Sequence, residues 1–343
     1  MLLYNLCYPL MWLATLVQYN YYRVLVKLKR RPSLLLKVHI KPETHYVRLC
    51  RALRLADLWL LERLSLHLAA RYLLCLFETT RYIAYKQVDH EYLASFRQER
   101  ICFRHQTVYV FRWVPPPVDA PTKTVLLVHG WEGRGIMFRA LCEALKAQGY
   151  AVIMPDLLAH GVSEGKRVSN YELASLLIQM ERRYGPFYAV VGHSSGGLVC
   201  SLALAQGLAA QRLVLLASPD NFGSMIDRFL AGASVSASLA APMKAIYAQR
   251  FGFHPDWVGE ALYRTLDCPA LICHDWQDAR VCPDVADAIH QALAHSELFY
   301  TRGLGHLGIL RSPLVHRRIL AFLADANAGT DTQVEPLIDR VAS

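Results

Sequence analysis

The chain has 343 residues, of which 54% are hydrophobic, and a formal net charge of +9. That length holds one large α/β domain plus an extension, with apolar content enough for a sizeable core. The nine cysteines are odd in number and scattered without a C-x-x-C pair, which excludes a disulfide framework and points to reduced thiols in a cytoplasmic setting.

The excess charge is confined to one end. The first 100 residues hold 16 Lys and Arg against 7 Asp and Glu, and the remainder holds 21 of each. Met1 to Tyr22 carries no charged side chain, is rich in Leu and Tyr, includes Trp12, and precedes Arg23, Lys27, Lys29, Arg30 and Arg31. No basic n-region precedes it and no small-residue cleavage site follows, which argues against a secretory signal. Asn5, Pro9, Gln18 and Asn20 interrupt the run, so a membrane span stays open but an interfacial helix is easier to defend. Residues 1–31 are therefore expected to contact an anionic membrane surface, at the inner membrane face of the cytoplasm. No nucleic-acid partner is expected, because the basic residues sit in an apolar background without a recognition motif.

A second helical stretch runs from about Tyr46 to Tyr85, with Leu53, Leu58, Leu61, Leu64, Leu68, Tyr72 and Leu76 as its apolar face. It packs on the following domain or touches membrane. Ile101 to Val114 alternates as a hairpin, Pro115-Pro116-Pro117 marks a turn, and strand–helix alternation begins at Thr124.

The apolar strand Thr124–Val128 ends in His129-Gly130-Trp131-Glu132-Gly133. About sixty residues later, Phe187–Val191 ends in Gly192-His193-Ser194-Ser195-Gly196, which fits G-x-S-x-G at a strand-to-helix junction. Such an elbow forces Ser194 into a strained backbone, and the glycines on either side remove colliding side chains. The backbone N–H groups of Trp131 and Ser195 are the expected oxyanion hole, since fixed donors need not reorganise as charge develops. His129 is read as a structural histidine, His160 as support in the loop Met154–Ser163, and His193 as a packing or hydrogen-bonding residue.

After Ser218-Pro219, the Ala/Ser-rich region 220–266 interrupts the alternation. Phe222, Met225, Phe229, Met243 and Trp257 either line an acyl pocket there or pack ordinary helices. The next strand, Pro269–Cys273, leads into His274-Asp275-Trp276-Gln277-Asp278-Ala279-Arg280-Val281, where an acid is expected at Asp275 or Asp278. Glu297–Tyr300 then leads into a turn whose two glycines present His306. Ser194, an aspartate and His306 thus follow strand ends in the order Ser, Asp, His. His290 and His295 fall near zinc-ligand spacing, but no cysteine pair accompanies them; with His254 and His316 they are read as surface or helix residues.

In this order, HGWEG, PDLLAHGVSEG, VVGHSSGG, HDWQDARV and GLGH resemble the α/β-hydrolase superfamily over roughly Val108 to Asp325. The chain looks most like bacterial α/β-fold hydrolases with a long N-terminal extension and an HGWEGRG oxyanion loop. The resemblance implies an α/β fold with a mostly parallel central sheet, helices on both faces and a helical cap at about 220–266. The implied organisation is an extension at 1–95, a catalytic domain at 100–325 and a tail at 326–343. The usual superfamily spacing of the acid from a valine, here Val281, favours Asp278 and leaves Asp275 a turn or supporting role. It also implies a serine hydrolase of small-molecule esters or thioesters with the triad Ser194, Asp278 and His306, and neither metal nor organic cofactor. The alternative is a hydrolase-fold binding or scaffold protein at the membrane whose triad lies idle. Oligomeric state is not legible.

Overall fold

The computed structural model describes residues 57–116, 122–233 and 235–324. The expectations for Met1–Arg31, for residues 46–56 and for the tail from 326 lie outside the described residues. Two compact units divide the chain at Ala69/Ala70.

In the first unit residues 57–64 are helical, and the Arg63 guanidinium lies 4.5 Å over the Trp59 ring. Of the stripe predicted from spacing, Leu58 is buried whereas Leu64 and Leu68 are exposed, as are Trp59 and Leu60 outside it. Among the described residues no helix is long and apolar enough to cross a membrane.

The second unit begins within α1 (Leu66–Phe77), which stops eight residues short of the expected Tyr85. Residues 80–86 have no regular secondary structure and lead to α2 (Gln87–Leu93). β1 (Arg97–Phe103) and β2 (Gln106–Trp113) form the expected hairpin. Its two-residue turn, Arg104-His105, has φ of 50° and 63°, the geometry that matches the right-handed strand twist.

β3 (Thr124–Val128), α3 (Arg139–Ala147), β4 (Ala151–Pro155), α4 (Asn170–Tyr184), β5 (Ala189–His193), α5 (Ser195–Ala205) and β6 (Leu213–Leu216) alternate as the sequence predicts. α6 (Phe222–Ala233), α7 (Ala240–Phe251) and the short α8 (Glu260–Tyr263) follow, then β7 (Ala270–Asp275), α9 (Asp284–Ala292), β8 (Ser296–Thr301), α10 (Gly305–Gly308) and α11 (Pro313–Ala324).

The eight strands form one sheet in the order β1-β2-β4-β3-β5-β6-β7-β8. β1 and β2 are antiparallel to their neighbours, and β3 to β8 are parallel. Strands β4 to β7 are buried along their whole length, because crossover helices cover both faces, whereas β1 alternates as an edge strand wet on one side. The connection from β3 steps to β4 on one side while β5 lies on the other. Loops leaving β3 and β5 therefore part at a crevice above the carboxyl ends, where open α/β sheets place ligands.

The helices of region 220–266 lie between β6 and β7, where a cap is expected. Aromatic packing ties them to α4: Tyr171 stacks on Phe251 at 4.5 Å and meets the edges of Phe222 and Phe253 at 5.2 and 4.7 Å. Each fully buried large ring contributes about 1.5–3 kcal/mol.

Candidate active site

Ser194 sits between β5 and α5 at φ 54°, ψ −131°, a conformation that costs a non-glycine residue about 1–3 kcal/mol and is held by its surroundings. A β-carbon on Gly196 would come within 2.4 Å of the Val128 carbonyl oxygen, and one on Gly130 within 2.8 Å of Ser194 Cβ. Glycine at both positions therefore permits the close approach of the two loops. Ser194 is half-buried, and its hydroxyl makes no hydrogen bond among the described residues.

Asp278 and His306 meet at 2.7 Å, Oδ2 to Nδ1. The other Asp278 oxygen accepts the backbone N–H groups of Arg280 and Val281 at 2.8 and 3.0 Å. Burial works to raise this carboxyl, but the hydrogen bonds from His306, Val281 and Arg280 outweigh it and hold it below the usual carboxylate range. Asp275 does not reach His306. Its carboxylate accepts from the Thr301 hydroxyl at 2.8 Å, Leu304 N–H at 3.0 Å and Gln277 N–H at 2.9 Å, fixing the base of the loop that carries His306.

His193 couples the elbow to that same loop. Its Nε2 donates to the His306 carbonyl at 2.9 Å, and the two rings lie 4.9 Å apart. His274, on β7, adds a second imidazole beside the acid: its Nε2 lies 3.2 Å from the Val281 carbonyl and 3.6 Å from Asp278 Oδ2. No sequence pattern singled it out.

The loop after β3 departs from the expectation in one respect. Trp131 N–H is not free, for it donates to Ser195 Oγ at 2.8 Å. Ser195 thus presents two groups here, a backbone N–H at the first turn of α5 and a buried hydroxyl that engages Trp131 N–H. His129 is structural, as expected: Nδ1 lies 2.8 Å from the Gly130 carbonyl and Nε2 accepts Leu157 N–H at 3.0 Å.

Sequence reasoning missed what braces this loop. Arg81 forms a two-pronged ion pair with Glu132 at 2.7 and 2.5 Å, Arg134 donates to the Ala84 carbonyl at 2.7 Å, and Thr80 donates to the Ala159 carbonyl at 2.5 Å. Tyr85 donates to the buried Asp156 carboxylate, which also accepts the N–H groups of Gly135 and Val162. Glu132 and Arg134 of the HGWEGRG motif are therefore used to hold the segment after α1. Being exposed, the Arg81 pair contributes little net stability; its effect is geometric.

A cavity of about 310 Å³ opens against Trp131. Its walls come from Leu76 and Phe77 of α1 and from Phe222, Met225 and Phe229 of α6. Ser194 does not line it. Met243 and Trp257 do not line it either: Met243 is fully buried in packing, and Trp257 lies 38% exposed against Phe253.

Three histidines around the site are buried and uncharged. Burial lowers His129 to about 4, His193 to about 4 with the neighbouring His306 assisting, and His160 to about 3 with His129 assisting. Unfolding returns each to its ordinary value near 6.5, so the unfolded chain binds more protons as pH falls from 6.5 toward 4. Stability is then full above that window and lost through it, at about 1.4 kcal/mol per pH unit for each histidine. Urea unfolding at pH 7 and pH 5 is expected to show this loss, and equal stability at both would contradict it.

A family model described as alpha/beta hydrolase fold matches residues 123–233. The chain has the α/β-hydrolase fold, with the eight-stranded sheet described above. Among solved structures it resembles the lip1 protein of Acinetobacter baumannii AYE, described as a candidate lipase, at 20% identity and a TM-score of 0.53 over 69% of this chain and 93% of that one. Est1E from Butyrivibrio proteoclasticus, solved with ferulic acid, matches at 19% identity and 0.52 over 66% and 97%. A bromoperoxidase from Bacillus anthracis matches at 17% identity and 0.52 over 67% and 100%. No curated protein matches the sequence. The differing activities named for these neighbours show that the fold alone does not select a reaction.

Proposed function

We propose that the chain is a serine hydrolase that cleaves a small-molecule ester or thioester through an acyl-enzyme on Ser194. The observation that carries this reading is the strained Ser194 at the N-terminus of α5, in a site whose histidine is already joined to a buried aspartate at 2.7 Å.

A serine hydroxyl is a weak nucleophile at neutral pH, so it needs a base during attack. With Asp278 accepting at Nδ1, His306 keeps its proton there and leaves Nε2 open to take the one from Ser194 Oγ. Attack forms the bond from Ser194 Oγ to the acyl carbon and moves the carbonyl electrons onto oxygen. The Ser195 N–H stabilises that oxyanion, and Trp131 N–H joins it by exchanging its bond with the Ser195 hydroxyl. Collapse expels the alcohol or thiol, which takes the proton from His306. Water deprotonated by His306 then releases the acid and restores Ser194.

A fluorophosphonate probe tests the reading. Labelling of the purified wild type that Ser194→Ala abolishes is expected. Absence of labelling, or equal labelling of both, would favour the idle-scaffold alternative.

A further inference from the structure

Trp131 lies in a four-residue turn, Gly130 to Gly133, closed by the bond from Gly133 N–H to the Gly130 carbonyl at 2.9 Å. The third residue of that turn, Glu132, has φ 54°. A turn with positive φ at this place ordinarily takes glycine or asparagine, because the β-carbon of another residue crowds the backbone. Glu132 is therefore strained, and such strain persists where the surroundings hold it.

Its side chain is held by Arg81 through both carboxylate oxygens, at 2.7 and 2.5 Å. The segment that carries Arg81 is fixed on either side. Thr80 donates its N–H to the Lys166 carbonyl at 3.0 Å and its hydroxyl to the Ala159 carbonyl at 2.5 Å, and Arg134 reaches the Ala84 carbonyl at 2.7 Å. The turn also sets where Trp131 N–H points. In a trans peptide the carbonyl and the N–H face opposite ways. The carbonyl of the Gly130–Trp131 unit takes Gly133 N–H and lies 2.8 Å from His129 Nδ1, so the N–H of the same unit is turned to Ser195 Oγ, at 2.8 Å.

We propose that Arg81 is a positioning residue of the active site, which acts through the Glu132 carboxylate to keep Trp131 N–H aimed at the substrate's oxyanion. The inference rests on the hydrolase reading for the donor role of Trp131. Arg81 precedes the stretch from Val108 to Asp325 that resembles the hydrolases, so the segment joining α1 to the sheet takes part in catalysis. Because the Arg81 side of the pair is exposed, its loss is expected to leave the thermal midpoint little changed.

The test measures kcat and KM on a p-nitrophenyl ester of a short acid. Arg81→Leu is expected to lower kcat about ten-fold at nearly constant KM, since the donor acts in the transition state and losing it altogether costs about 10²–10³-fold. In a Glu132→Gly background no carboxylate remains and glycine takes positive φ freely, so Arg81→Leu is expected to cost nothing further. An unchanged kcat, a rise in KM alone, or an equal loss in both backgrounds would overturn the proposal. Should Arg81→Leu not fold, Arg81→Met reads the same cycle. Amide hydrogen exchange separates this proposal from the hydrolase reading: exchange over Gly130 to Gly135 is expected to quicken severalfold in Arg81→Leu while Ala189–His193 stays as in the wild type. If no ester is cleaved but exchange quickens in this way, the hydrolase reading fails and the hold of Arg81 on the turn stands. Unchanged exchange overturns that hold whatever the catalysis.

Discussion

Ser194→Ala is expected to lower kcat on its best ester by about 10⁶-fold while the protein remains folded, since loss of the nucleophile removes the covalent route as a unit. A residual rate about 10³–10⁴-fold over water is expected to survive, because the Ser195 and Trp131 donors and the binding surface remain. Folding should be little affected: Ser194 is half-buried, its hydroxyl holds no hydrogen bond, and alanine keeps the same backbone restriction. Single-turnover kinetics with thermal unfolding checks both parts. A variant that keeps most of its wild-type rate would place the nucleophile elsewhere.

Asp278→Asn is expected to cost about 10⁴-fold in kcat, by tautomer rather than by collapse. An asparagine oxygen can still accept the Arg280 and Val281 N–H groups, so the loop persists. Its amide then faces His306 as a donor, drives the ring proton from Nδ1 to Nε2, and leaves no base toward Ser194. Asp275→Asn should behave differently. Its carboxylate serves Thr301, Leu304 and Gln277, so the expected effect is a stability loss of about 1–3 kcal/mol and a smaller decline in rate. Comparing kcat with unfolding midpoints for both variants separates the roles. The assignment fails if Asp275→Asn shows the larger catalytic loss with unchanged stability.

Much of the fold was legible because parallel strands buried on both faces read as short apolar runs, as in Thr124–Val128 and Ala270–Cys273, whatever surrounds them. The elbow was equally plain, since few backbones other than a tight strand-to-helix turn need glycine two residues either side of a serine. The choice between Asp275 and Asp278 was harder, since both share one loop and only their partners tell them apart. α1 was overrun to Tyr85 because Ala- and Leu-rich spacing carries no mark of where a chain leaves a helix to bond another loop. Likewise, Met243 and Trp257 looked no different from Met225 and Phe229 as wall residues; which apolar side chains face a void depends on how helices settle against α4.

The sequence by itself determined the alternation of strands and helices, the order of serine, acid and histidine, and the turn that strains Ser194. These depend on neighbours a few residues apart, where periodicity and backbone sterics act. Only the tertiary structure decided that Ser195 Oγ engages Trp131 N–H, that Arg81 and Tyr85 brace the loops after β3 and β4, and that Asn170 Oδ1 is buried without a partner. Those outcomes turn on hydrogen-bond partners tens of residues apart, and whether a polar group finds one is settled only when the chain has packed.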